Sequence, residues 1–111
     1  MAFNPDPDLD ELIRKAIRHK HLIRLVYQNK ERVIEPHDYG IHKGVVKLLA
    51  YQVRGSSTGR LPGWRWLEAA GISGARLMDE TFPGNRPPSS GQHHQWDEIF
   101  IRVDPHEKKS K

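Results

Sequence analysis

The chain contains no cysteine among its 111 residues, which removes disulfide staples, thiolate nucleophiles and cysteine-type zinc sites. Long apolar runs are missing too. The opening stretch MAFNPDPDLDE is acidic and polar, so neither a signal peptide nor a membrane span is expected, and the expected location is cytoplasmic. Proline is absent from Gly44 to Arg54, GVVKLLAYQVR, the longest β-branched and aliphatic segment of the chain. That stretch reads as the central strand, with Val46, Leu48 and Ala50 on one face and Val45, Leu49, Tyr51 and Val53 on the other. Lys47 is the lone charge in its middle. A strand apolar on both sides must be covered on both, by sheet closure into a small barrel or by a helix laid across one face.

A chain of this length holds one domain and can bury a core without covalent staples. Its eighteen Lys and Arg against fourteen Asp and Glu give +4 at pH 7, weak evidence on its own for a polyanionic partner. The distribution says more. Residues 1 to 11 carry four acids and no base, whereas residues 12 to 32 carry seven bases against Glu31, a polarity that complements a helix dipole. The expected helix spans about residues 8 to 20, with Asp8 as N-cap and Glu11 completing a capping box after Pro7. Leu9, Leu12, Ile13, Ala16 and Ile17 then form one buried stripe, leaving Arg14, Lys15 and Arg18 solvated.

Leu22 to Gln28 alternates as a strand, and Asn29-Lys30-Glu31 reads as the turn of a hairpin whose return strand is bent, or at an edge, at Pro36. His42-Lys43-Gly44 supplies a second tight turn. Residues 55 to 63, GSSTGRLPG, are a loop. Trp64 to Glu68 is a short strand with both tryptophans on one face and Arg65 and Leu67 on the other. Ala69 to Gly74 is a bend or one helical turn, and Ala75 to Phe82 a further strand, which ends the expected barrel of about 22–82. A solvated, disordered connector is expected over 83–95, a final strand over 96–103 and a mobile charged tail over 104–111. One capped helix with five or six short strands points to a mainly β fold, a small antiparallel barrel with one N-terminal helix.

Tyr27, Arg32-x-Ile34-x-Pro36-x-x-Tyr39, Gly44 to Tyr51, Trp64-Arg65-Trp66-Leu67, Ile72 and Asp79-Glu80-Thr81-Phe82 together resemble the WYL domain, over about residues 16 to 82. The family's naming triplet falls on Val46-Lys47-Leu48, of which only the leucine is kept, and of its later arginines only Arg65 has a counterpart. The resemblance implies an SH3- or Sm-like barrel that senses a ligand in bacterial transcription regulators, with nucleotides or single-stranded nucleic acid as the favoured class. No helix-turn-helix fits the short leader, so the chain is not expected to be a complete regulator of the usual kind.

The basic and aromatic residues around the central strand form the candidate site: Arg32, Lys47, Tyr51, Trp64, Arg65 and Trp66, able to pair phosphates and stack bases. The bland alternative has the tryptophans plugging the barrel while Lys47 and Arg65 reach solvent over apolar stems. Gly55-Ser56-Ser57-Thr58-Gly59 has nucleophile-elbow spacing but lacks the strand-to-helix context, so no catalytic residue is assigned and the chain is not expected to be an enzyme. Of the seven histidines, none has the spacing of a metal site, and His37 or His42 reads as a surface residue or one hydrogen-bonded within the turn; neither metal nor cofactor is expected. The expected function is a non-catalytic module binding a nucleotide or single-stranded nucleic acid. The alternative is a protein-interaction or oligomerisation module that pairs copies of the chain through an open strand edge.

Overall fold

The computed structural model describes residues 6–56, 61–84 and 96–103. Helix α1 (Pro7–His19) is capped by Asp6, not by Asp8 as the capping-box pattern suggests; its Oδ2 accepts the backbone N–H groups of Asp8 and Leu9, both at 3.1 Å. Pro7 dictates this. A proline at the first helical position has no N–H to satisfy, so the cap must sit immediately before it. Lys20 ends the helix in the left-handed conformation, its N–H bonded to the Ala16 carbonyl. Ile13, Ala16 and Ile17 form the buried stripe. Arg14 departs from the solvated face expected of it: its Nε donates to Asp10 at 2.9 Å and its guanidinium lies over the rings of Tyr39 and Phe100.

Among the described residues six strands follow: β1 (His21–Tyr27), β2 (Lys30–His42), β3 (Val45–Gly55), β4 (Gly63–Glu68), β5 (Ile72–Thr81) and β6 (Glu98–Arg102), with one 3-10 turn, Ala69–Gly71, between β4 and β5. The chain is therefore mainly β with one N-terminal helix, and every strand pairing among the described residues is antiparallel. The strand path runs β4-β3-β2-β1-β5, with β6 joining β2. It does not close. No ladder joins β4 to β5 among the described residues, so hydrogen bonding leaves an open sheet where the sequence suggests a closed barrel. The β1–β2 turn is Gln28-Asn29, one residue earlier than expected; both have positive φ, as a type I′ two-residue hairpin requires. No described helix is long and apolar enough to cross a membrane.

The organising strand is β2, not β3. Its first half pairs with β1 (Lys30 to Ile34), its second half with β6 (Asp38 to Ile41), and β3 lines its other edge throughout. Pro36 hid this from the sequence, since a proline argues against a central strand. It is tolerated because it stands in the gap where β1 has ended and β6 has not begun, beside a bulge at His37. Residues 32 to 40 are all buried. His37, expected either at the surface or hydrogen-bonded within the turn, is fully buried; its Nδ1 lies 2.8 Å from the Glu35 carbonyl oxygen, and its ring packs between Trp64 and Phe82, with ring centroids at 4.8 and 5.5 Å. Residues 85–95, most of the expected connector, lie outside the described residues, as do the tail 104–111 and positions 57–60 of the loop motif.

Tyr39 ties the sheet to the helix. It is fully buried, and its hydroxyl donates to Asp10 Oδ1 at 2.7 Å. Burial first, then that hydrogen bond and the Asp10 charge, push the phenol well above its ordinary value, with Arg14 opposing. A group whose pKa is raised by folding stabilises the protein below its unfolded pKa and loses that contribution as pH rises beyond it. Stability should therefore decline above about pH 10, where an unfolded tyrosine ionises. Tyr39→Phe should cost about 1–2 kcal/mol at pH 8 and flatten the alkaline decline, as measured by urea unfolding between pH 8 and 11. Parallel pH profiles for the two proteins would contradict this account.

Candidate functional site

Strand pairing sorts the candidate residues onto two faces. Cross-strand partners point the same way, and the pairs are Leu48 with Leu67, Ala50 with Arg65 and Gln52 with Gly63 on one face, against Lys47 with Glu68, Leu49 with Trp66 and Tyr51 with Trp64 on the other. The first face is the core side, where Leu48, Ala50 and Leu67 are fully buried. Arg32 joins it from β2, donating from Nη1 to Gln52 Oε1 at 3.2 Å. Thus Arg32 and Arg65 share one face, while Lys47, Tyr51, Trp64 and Trp66 share the opposite one. The six residues do not converge in a single pocket.

The core-side cluster lies at the end of the sheet marked by the β1–β2 turn. Arg32 is only 4% exposed. Its Nη2 donates to Gln28 Oε1 at 3.4 Å, its guanidinium lies 5.4 Å from the centroid of the Tyr27 ring, and its Nε is buried without a hydrogen-bond partner. No carboxylate pairs with it among the described residues. Desolvation first, and the charge of Arg65 second, lower its pKa, partly offset by Tyr27. Arg65 Nη1 donates to the Trp64 carbonyl at 2.8 Å. Tyr27 is fixed in turn: its hydroxyl accepts the Glu68 backbone N–H at 3.0 Å, spanning from β1 to the end of β4.

On the outer face the tryptophans form a half-buried layer and do not plug the interior. Trp66 stacks on His42 at 4.5 Å and meets Trp96 at 5.3 Å, while Trp64 packs edge-on against Tyr51 at 5.3 Å. Lys47 Nζ donates to His42 Nδ1 at 3.3 Å and lies 5.6 Å from the Trp66 ring centroid. A cation so placed is held by an aromatic face and an imidazole nitrogen.

Three residues of the core-side cluster were not singled out from sequence: Gln28, Tyr27 as a ring beneath Arg32, and above all Gln52. The signal for Gln52 was present. It continues the alternation Val46, Leu48, Ala50 onto the apolar face, and an amide on a buried face must find partners. Among the described residues no group of three His, Asp or Glu side chains gathers to hold a metal ion. No protein-family model, curated protein or solved structure significantly matches the chain.

Proposed function

We propose that the chain is a non-catalytic binding module of the WYL type that recognises a nucleotide or single-stranded nucleic acid through an anion-binding cluster of Arg32 and Arg65. The observation that carries this reading is a nearly buried arginine with an unpartnered Nε, no carboxylate beside it among the described residues, and a second guanidinium within Coulombic reach. Burying a cation and crowding it with another is unfavourable. An oxyanion reverses both terms. The flat Tyr27 ring beside Arg32 adds a surface suited to a base or sugar, in keeping with a nucleotide rather than a bare inorganic anion.

The finer fold reading, a small SH3- or Sm-like barrel, is supported by the bond from Glu68 N–H to the Tyr27 hydroxyl, which ties β4, one end of the strand path, to β1, the neighbour of β5 at the other end. Bacterial regulation and a cytoplasmic setting follow from the family resemblance carried by the motif order from Tyr27 to Phe82.

The test is fluorescence anisotropy with a labelled deoxythymidine ten-mer. Binding should be present at low salt and weaken steeply as salt rises, since each neutralised phosphate releases counterion. Arg65→Glu should weaken it about tenfold or more. Lys47→Glu, a charge change of equal size on the opposite face, should act only through the general field, by about twofold. No binding at low salt, or equal losses from the two variants, would overturn the reading.

A further inference from the structure

We infer, building on the anion-binding reading above, that Gln52 is a positioning residue that leaves one buried edge of the Arg32 guanidinium, Nε with Nη2, as a two-pronged seat for a phosphate group, and that Gln28 covers the seat.

Gln52 is completely buried, and its amide is spoken for at both ends. Nε2 donates to the Arg54 carbonyl at 3.1 Å and to the Ser56 carbonyl at 3.0 Å, while Oε1 accepts from Arg32 Nη1 at 3.2 Å. The two carbonyls settle which way the amide points, because a flipped amide would set oxygen against oxygen at both contacts. Arg32 is therefore gripped at Nη1. A guanidinium held there presents its remaining edge, Nε–H beside an N–H of Nη2, as the planar fork that matches two oxygens of a phosphate. Tyr27 backs the plane of that fork.

One prong, Nε, has no partner, and the other is held weakly. The contact from Nη2 to Gln28 Oε1 is 3.4 Å, at the long end for a hydrogen bond. Gln28 is an exposed residue of the tight turn, with φ of 55°, so its side chain can swing into water without disturbing the core. A phosphate entering the fork would displace one long bond to a neutral amide and gain two charge-assisted ones. Gln28 acts as a removable cover for a seat whose orientation Gln52 sets.

The experiment uses the full chain and the labelled deoxythymidine ten-mer, with unlabelled inorganic pyrophosphate as competitor. Gln28→Ala should tighten binding about two- to fivefold, and Gln28→Glu, which places a carboxylate in the seat, should weaken it about tenfold or more. Gln52→Met keeps the side-chain volume and deletes its hydrogen bonds. It should weaken binding and lower the slope of log K against log salt by about 0.7, the loss of one phosphate contact on a single strand; a variant that is merely less stable, yet folded, keeps the wild-type slope. Pyrophosphate should displace the ten-mer from wild type and less readily from Gln28→Glu. Should Gln52→Met fail to fold, the two changes in the exposed turn still decide the matter. Wild-type binding that neither Gln28 change alters, or an unchanged slope in folded Gln52→Met, overturns the inference and leaves the parent reading standing; absence of wild-type binding removes both.

Discussion

Replacing Gly40 with valine should push β6 off β2. A β-carbon at Gly40 would overlap the Glu98 carbonyl oxygen and lie 2.9 Å from the Ile99 α-carbon, both main-chain atoms with no rotamer to escape into. What would be lost is a connected set of contacts. Backbone bonds join Asp97 N–H to the Ile41 carbonyl and Val103 N–H to the His37 carbonyl, each at 2.8 Å, and Asp97 Oδ2 accepts the Gly44 N–H at 2.8 Å. Arg102 Nε lies 3.0 Å from Asp38 Oδ1, and Phe100 packs edge-on against Tyr39 at 5.3 Å. Asp38 is fully buried, so withdrawing Arg102 removes a charge-assisted hydrogen bond from a desolvated carboxylate. The expected cost is about 2–4 kcal/mol, a fall in Tm on the order of 10 °C or more for a domain of this size. Trp96, beside Trp66 and His42, should become solvated and shift its fluorescence to the red, and trypsin should cut at Arg102. A melting curve and a cleavage pattern like those of the wild type would show that β2 can yield at Gly40.

Gly55→Ala should damage stability and binding together. Gly55 has φ of 97°, a conformation that costs a side-chain-bearing residue on the order of 1 kcal/mol or more. A β-carbon there would also overlap the Glu31 carbonyl oxygen and lie 2.7 Å from the Arg32 α-carbon. The neighbouring Ser56 donates its N–H to that same Glu31 carbonyl at 2.8 Å and offers its own carbonyl to Gln52. Relief of the clash must therefore move either the backbone that carries Arg32 or the backbone that anchors Gln52. A loss of about 2–4 kcal/mol is expected by denaturant unfolding, and about a tenfold or greater loss of ten-mer affinity under conditions where the variant remains folded. Full affinity in a destabilised but folded Gly55→Ala would mean that the cluster does not depend on this edge.

Helix α1, the alternation of β3, the separation of Trp64 and Trp66 from Arg65, and the bend at Pro36 were all readable along the chain. Each depends on residues a few positions apart: a period of 3.6 or 2 in apolar side chains, or a ring that fixes φ. The N-cap is displaced for an equally local reason, since the capping-box pattern points to Asp8 where the missing N–H of Pro7 requires Asp6. Alternation also assigned Lys47 and Tyr51 correctly to one face of β3. It could not say which face would become the interior.

That choice belongs to pairing between distant segments. β2 became the hub because β1 and β6 divide its edge on either side of Pro36, a division between strands more than fifty residues apart in sequence. The same pairing turned Arg32 and Arg65 towards the core and Lys47 with the tryptophans away from it, and so split one imagined site into two. Gln52 gained its role only when the return of the chain brought Arg32, Arg54 and Ser56 around its amide. Periodicity along a segment decides which side chains travel together; which way they face is decided when other strands and the helix compete to cover them, and that competition is written in contacts no local window contains.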